Sequence, residues 1–475
     1  MLEGLEISEV KFSYVRLIDI FRIDSNYFQK IFLQQEQRVL KTNSNRLIDL
    51  GCDLKSFGAY SLNNYIEYLE EGVPFVRGIN LKNGRISFNN VIYISNEAHK
   101  LLWKSEVRPK TILLSMSGTI GDVAIASESL KYPINSNQDI AKISCDENLN
   151  PYYLYAFLSS YFGQNYLIRE ARGSVQQHVF LSQIENFQIP EFSADFYNVI
   201  ENTVLDADLS NAKSQQCYGD AEQTLLEAVG LADFKPSTQN TNIKTFAQSF
   251  GVSGRLDAEY YQPKYEEVMA QITSQTHAKL LDVVTIKKSI EPGSDAYADE
   301  GLPFIRVSDF SKTGLTTPDK CLSDEYYEAN QKKLNSLKPK QNTILFSKDG
   351  SVGAAYLLRE DLHGVTSGAI LHLNLKRDDV LPEYLTLVLN SKLVQMQAER
   401  DAGGSIILHW RVGEIENVIL PIIDLTTQSK ISDLVQQSFS LKAQSEHLLS
   451  VAKRAVEMAI EQDEAAAMAF ITKSL

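Results

Sequence analysis

Four patterns occur twice in this chain, in the same order and at a nearly constant offset. RIDSNYFQK (22–30) is answered by RLDAEYYQPK (255–264), and GVPFVRGINLKNGRI (72–86) by GLPFIRVSDFSKTGL (301–315). TILLSMSGTIGDVAIA (111–126) is answered by TILFSKDGSVGAAYLL (343–358), and GSVQQHVFLSQIENFQIP (173–190) by GSIILHWRVGEIENVILP (404–421). The offset stays between 229 and 233 residues throughout. In the last pair Gly173, Ser174, His178, Ile184, Glu185, Asn186 and Pro190 all recur 231 positions later. Short loops that resemble one another by chance do not keep a register over such distances. The chain is a duplicated domain, and its period is far too long for a solenoid.

Each copy reads as a mixed unit. VPFVRG and ILFSKDG are apolar runs broken by polar turns, which predicts strands. TILLS-MSG-TIGDVAIA predicts strand, turn, strand, with Gly118 and Gly121 supplying backbone freedom in the turn. NPYYLYAFLSSYFGQNYLI (150–168) predicts a helix with an Asn cap and Pro at the next position, and LPEYLTLVLNSKLVQMQ begins the same way. A long helical stretch closes each unit. Ile431, Leu434, Val435, Leu441, Leu448, Ala452, Ala455 and Ala459 fall on one stripe. The first copy carries Ile200, Val204, Ala207, Tyr218, Leu225 and Val229, and the polar DFKPSTQNTN (233–242) after it reads as a linker.

The expected fold is therefore α+β. Two tandem homologous globular domains are separated by two long helices, which pair as an antiparallel coiled-coil spacer with pseudo-two-fold character. The boundaries expected are a first domain over 1–195, a first spacer helix over 196–232, a linker over 233–253, a second domain over 254–424 and a second spacer helix over 425–475.

Composition narrows the function. The four cysteines are scattered, with no C-x-x-C pair, which suggests neither a zinc site nor a disulfide framework and fits a reducing cytoplasm. MLEGLEISEVKF does not read as a signal peptide, and no apolar run reaches the roughly 18 residues of a membrane span. The net charge of −14 opposes a free-standing basic nucleic-acid binder. Residues 196–250 and 423–475, where the spacer is expected, together contribute −6 of it. Short basic groups remain in the heads: Lys82 with Arg85, Arg169 with Arg172, Lys348, and Arg400 with Arg411. No G-x-x-x-x-G-K-[ST] is present. NPYY at 150–153 approaches the N-P-P-Y motif of amino-methyltransferases, but its counterpart lacks the Asn and a helix start explains both copies.

With its motifs doubled in this order, the chain resembles the specificity subunit of Type I restriction-modification systems. The resemblance covers nearly the whole sequence. It implies a non-catalytic subunit whose two target recognition domains each read half of a bipartite sequence in double-stranded DNA. It implies partners too: two methyltransferase subunits, which would hold S-adenosylmethionine, and restriction/translocase subunits. No cofactor of the chain's own is implied. A helix of about 35–40 residues spans about 55–60 Å, enough to hold two heads one to two DNA turns apart. The alternatives are a specificity subunit of a related Type II or other phage-defence complex, and a two-headed scaffold that binds proteins, which the acidic balance favours.

The candidate DNA-binding residues fall in three places per unit. Arg77 and Arg306 close the P-F-[IV]-R strands, where an Arg reads guanine, holds phosphate or bridges strand to loop. Ser115, Ser117 and Thr119 in one hairpin, with Ser347, Lys348 and Ser351 in the other, offer hydroxyls, N–H groups and a charge, or form a plain turn. Arg172, Gln176, Gln177 and His178, with His409, Trp410 and Arg411, follow or flank the Gly-Ser pairs. Gln suits adenine, whereas the paired His could equally cap a turn. The helical stripe supplies candidate partner-binding residues: Ile200, Val204, Leu225, Ile431, Leu434, Leu441, Leu448 and Ala452.

Overall fold

The computed structural model of the protein describes residues 8–16, 22–56, 66–173, 177–404 and 406–475. The chain divides into two units. The first holds Met1–Ala212 and Leu441–Leu475, and the second holds Lys213–Ser440.

In the first unit the hairpin sequence lies in a four-stranded antiparallel sheet. Its order is Asp53–Lys55, Ile140–Ser144, Ile112–Ser115, Val123–Ile125. The run ILLS is apolar on every residue because both faces of the strand are covered. Ile112 and Leu114 join the core that holds Tyr152 and Phe157, while Leu113 joins Val76 and Ile134 on the other side. Side chains alternate across a strand, so a strand buried on both faces shows no period of two. A second sheet contains Val73–Val76 paired in parallel with Ile134–Ser136.

The second unit repeats this plan. Ile344–Ser347 lies between Ile370–Leu375 and Ala355–Leu357, and Leu302–Ile305 pairs in parallel with Val365–Thr366. Equivalent residues take equivalent bonds: Tyr153 donates to the Pro190 carbonyl at 2.6 Å, and Tyr384 to that of Pro421 at 2.7 Å.

The helix expected over 150–168 is two helices, Pro151–Ser159 and Tyr161–Glu170. Ser160 is extended, donates to the Phe157 carbonyl at 2.6 Å and caps the next helix at Gly163. Ser391 likewise is extended and donates to the Val388 carbonyl at 2.6 Å between Pro382–Asn390 and Lys392–Asp401, but its side chain does not cap the second of them. Asn150 does cap the first helix, accepting from the Tyr152 and Tyr153 N–H groups at 2.9 and 3.1 Å. That cap accounts for the NPYY sequence structurally.

Two long helices run over Ala194–Ala228 and Leu425–Glu461. In the first unit, Ser445 donates to the Ala207 carbonyl and Ser193 bonds Glu464, so the segments run antiparallel there. In the second, Ser214 and Ser438 each donate to the other's carbonyl at 2.8 Å. Ser214 and Ser445 are 231 positions apart, as are Ala207 and Ser438. The same helix contact is thus built once in each unit.

These helices correct the partner-binding assignment. Ile200, Val204, Leu225 and Ile431 have no exposed surface, Leu448 and Ala452 are buried, and Leu434 and Leu441 are half-buried. The stripe packs within the chain's own cores, because a helix gains its stability from burying one face. The segment expected as one helix over 425–475 also breaks. Asp463 caps a separate helix, Glu464–Ser474, by accepting from Ala466 N–H at 2.8 Å. Among the described residues no helix is long and apolar enough to cross a membrane. Cys52 and Cys145, far apart in sequence, are free thiols 3.4 Å from each other.

Candidate nucleic-acid interface

The two loops singled out by their sequences meet in both units. In the first unit the hairpin residue Ser117 forms a bridge with His178, and Val179 N–H donates to the Met116 carbonyl at 3.0 Å. In the second, Asp349 bridges His409, and Trp410 N–H donates to the Lys348 carbonyl at 2.8 Å. The third place adjoins them. A methyl group at Gly78, next to Arg77, would lie 3.0 Å from Ser115 Oγ, and one at Gly350 would lie 4.0 Å from Val307 beside Arg306.

Glycine is required where the Gly-Ser loop begins. Gly404 has φ +135°, and a Cβ there would stand 2.0 Å from the Ile407 carbonyl oxygen. The loop then closes on itself: His178 and Arg172 exchange backbone hydrogen bonds, as do His409 and Gly403. The hairpin turn is docked by residues that the sequence analysis passed over. Gln164 donates to the Gly121 carbonyl at 2.8 Å, and Gln395 to that of Gly353 at 2.7 Å. Their 231-residue spacing is a signal the duplication itself carries.

The individual candidates fare differently. Arg77 donates to the Asn90 carbonyl at 2.9 Å, and Arg306 pairs with Asp319 and Asp309, so both guanidinium groups bridge strand to loop. Ser115 and Ser347 are fully buried, and their hydroxyls donate to the carbonyls of Ser117 and Ser351. Ser117 is buried as well, whereas Thr119 and Ser351 are exposed. Trp410 is 1% exposed and packs on Phe346 with ring centres 5.8 Å apart, which removes its ring from any surface contact. Gln177, His409 and Arg411 are exposed, and His178 is half-buried. Arg172 is half-buried, with Nε and Nη2 lacking a partner among the described residues. Gln176 lies outside the described residues.

Three of the basic groups expected in the heads serve the fold. Arg85 donates to Asp208 at 3.3 Å and to Ser445 Oγ at 2.7 Å. Arg169 is 4% exposed and pairs with Glu36 at 3.2 Å, and Arg400 pairs with Asp401 at 2.7 Å.

The two loop sites share a backbone plan but not a charge. The second lines an open cleft of about 430 Å³ with Lys288, Lys348, Asp349, His409 and Arg411. There Asp349 pairs with both Lys348 and His409, and Arg411 pairs with Glu414. In the first unit, Met116, Ser117 and Phe180 stand where the second has Lys348, Asp349 and Arg411. Lys288 carries no motif and was not anticipated. Such loops, held by a rigid sheet and varying in side chain, suit recognition of different edges by one framework.

The family model for the Type I restriction modification DNA specificity domain matches residues 52–190 and again 276–450. This chain belongs to that family. Each matched stretch contains one of the two loop sites, so the chain carries two specificity domains. The Type I restriction enzyme EcoBI specificity subunit of Escherichia coli is 25% identical over 123 residues, which is 26% of this chain and 26% of that relative. The match thus spans about a quarter of the curated relative's length. Among solved structures, the S subunit of a Type I restriction-modification system from M. genitalium is 14% identical, with a TM-score of 0.38 over 91% of this chain and 96% of that one. The HsdS subunit from Thermoanaerobacter tengcongensis is likewise 14% identical over 91% and 96%, with a TM-score of 0.27. The family assignment rests on the two matched stretches.

Proposed function

We propose that this chain is the sequence-specific DNA-recognition subunit of a Type I restriction-modification complex. One observation carries the reading: the specificity domain occurs twice, and each copy presents the same loop framework with different side chains. Two frameworks with different side chains read two different half-sites, so the target is bipartite and asymmetric. The chain recognises and does not catalyse. Methyl transfer from S-adenosylmethionine belongs to two methyltransferase subunits, and restriction/translocase subunits complete the assembly. With a net charge of −14, the chain relies on those partners for much of the sequence-independent attraction to phosphate.

The test is an exchange of heads. Residues 22–190 are replaced by the matching region of another member of the family, and the methylated base pairs are mapped in cells that carry the partners. One half-site changes and the other persists. A target altered in both halves, with folding retained, overturns the modular reading.

Single residues divide the work further. Lys348→Ala in the assembled complex lowers the slope of log affinity against log salt by about one, because one phosphate contact is lost. Gln177→Ala leaves that slope alone and relaxes discrimination at one base pair by about 1–3 kcal/mol. Filter binding over a salt series, with matched and mismatched duplexes, measures both. Unchanged slope and unchanged discrimination in the two variants would return these loops to plain turns.

A further inference from the structure

The R-[IL]-D-x-x-Y motif opens both copies, and nothing in the loop sites explains it. In the first unit, Arg22 is held by Asp24 at 2.7 Å and donates through Nη1 to the Arg169 carbonyl at 3.0 Å. The Tyr27 ring packs against two guanidinium groups, 4.5 Å from that of Arg22 and 4.1 Å from that of Arg169. In the second unit, Arg255 is held by Asp257 at 2.8 Å and donates through Nη1 to the Asp401 carbonyl at 3.1 Å. The Tyr260 ring lies 4.5 Å from Arg255 and 5.1 Å from Arg400. Both units thus gather two arginines on one tyrosine ring, and in both the motif arginine holds a carbonyl in the last turn of a helix.

Those helices, Tyr161–Glu170 and Lys392–Asp401, lead straight into the Gly-Ser loops. The clamped carbonyl of Arg169 stands three residues before Arg172, whose backbone pairs with His178. That of Asp401 stands two residues before Gly403, whose backbone pairs with His409. A planar guanidinium fork fixed by its own Asp and stacked on a ring has little freedom left. It therefore sets the direction in which the chain leaves the helix.

We propose that Arg22 and Arg255 are positioning residues, each of which fixes the closed base of the Gly-Ser loop in its own unit, Arg172 with His178 or Gly403 with His409, and thereby the half-site that this loop reads. The loop assignment rests on the proposed function; the positioning itself does not. Amide hydrogen exchange in the full chain tests the positioning without DNA. In Arg22→Gln, protection of the Arg172 and His178 amides falls at least tenfold, while that of Leu113 and Leu114 in the sheet is kept. Arg255→Gln does the same to Gly403 and His409. Arg22→Lys keeps a charge but loses the fork and gives an intermediate loss, which serves if the Gln variant folds poorly. On gapped duplexes, Arg22→Gln loses about tenfold in discrimination at one half-site only, and Arg255→Gln at the other. Unchanged exchange at the loop amides overturns the proposal, and so does a loss spread evenly through the unit. If the amides respond while the unaltered complex shows no sequence-selective binding, the DNA reading fails and the positioning stands.

Discussion

Trp410→Ala is expected to cost the second unit about 3–5 kcal/mol, the usual loss for a large aromatic side chain removed from a core. The ring is 1% exposed and sits with Phe346, Ile415 and Val418 in one buried cluster. A loss of 1 kcal/mol lowers the melting temperature of a domain of this size by about 2–4 °C, so the transition carrying this unit should fall by roughly 6–20 °C. Its neighbour Arg411 is 76% exposed at the side chain, and Arg411→Ala should change stability by less than about 0.5 kcal/mol. Calorimetry of both variants, beside DNA discrimination, separates a core residue from a reading residue. Retained stability with lost discrimination in Trp410→Ala would return the tryptophan to the reading surface.

The second large effect lies in the first unit. Lys142 is 3% exposed, and burial lowers its pKa from 10.5 to about 7. Among the described residues its ammonium has Ser136 Oγ and the Ile140 carbonyl as partners, each at 3.1 Å. The equivalent place in the second unit holds His372, bonded to Thr366 at 2.8 Å, with its pKa lowered to about 4 by burial and then by the charge of Lys287. The two units thus bury a different base beside a hydroxyl on the same pair of strands.

The sign follows from proton binding. Between pH 7 and 10.5 the unfolded chain holds a proton on Lys142 that the folded chain has released. Stability from this group therefore rises with pH across that window, and the penalty is fully present below pH 7. For His372 the corresponding window is pH 4 to 6.5, with the full penalty below 4. One pKa unit is worth about 1.4 kcal/mol. Lys142→Met removes the buried base, loses two hydrogen bonds, and should stabilise the first unit by about 2–4 kcal/mol at pH 7. It should also flatten the pH dependence between 7 and 10, as denaturant titrations at several pH values would measure. A variant less stable at pH 7, with the pH dependence kept, would mean that the ammonium is held by stronger interactions than these two bonds.

The sequence by itself determined whatever lies within one element or repeats at fixed spacing. The duplication was visible as a constant offset. The hairpin strands, the Asn150 cap and the two long helices followed from apolar period and end signals, which are local. The hairpin and the Gly-Ser loop both recur in sequence, but nothing there brings the two together. The tertiary structure decided that Ser117 meets His178 and Asp349 meets His409, contacts between segments about sixty residues apart in the chain.

It also decided what each charged or apolar side chain is for. Arg85 stands in sequence among the short basic groups of the heads, yet it pairs with Asp208 and is bound by Ser445, 360 positions away. The stripe from Ile431 to Ala452 looked available to a partner subunit, yet Ile431, Leu448 and Ala452 are buried inside the chain and Leu434 and Leu441 are half-covered. Periodicity states that a face must be covered and leaves open by what. Whether an arginine faces water depends on acids and rings brought from distant segments by folding, and no local pattern records which of them arrive.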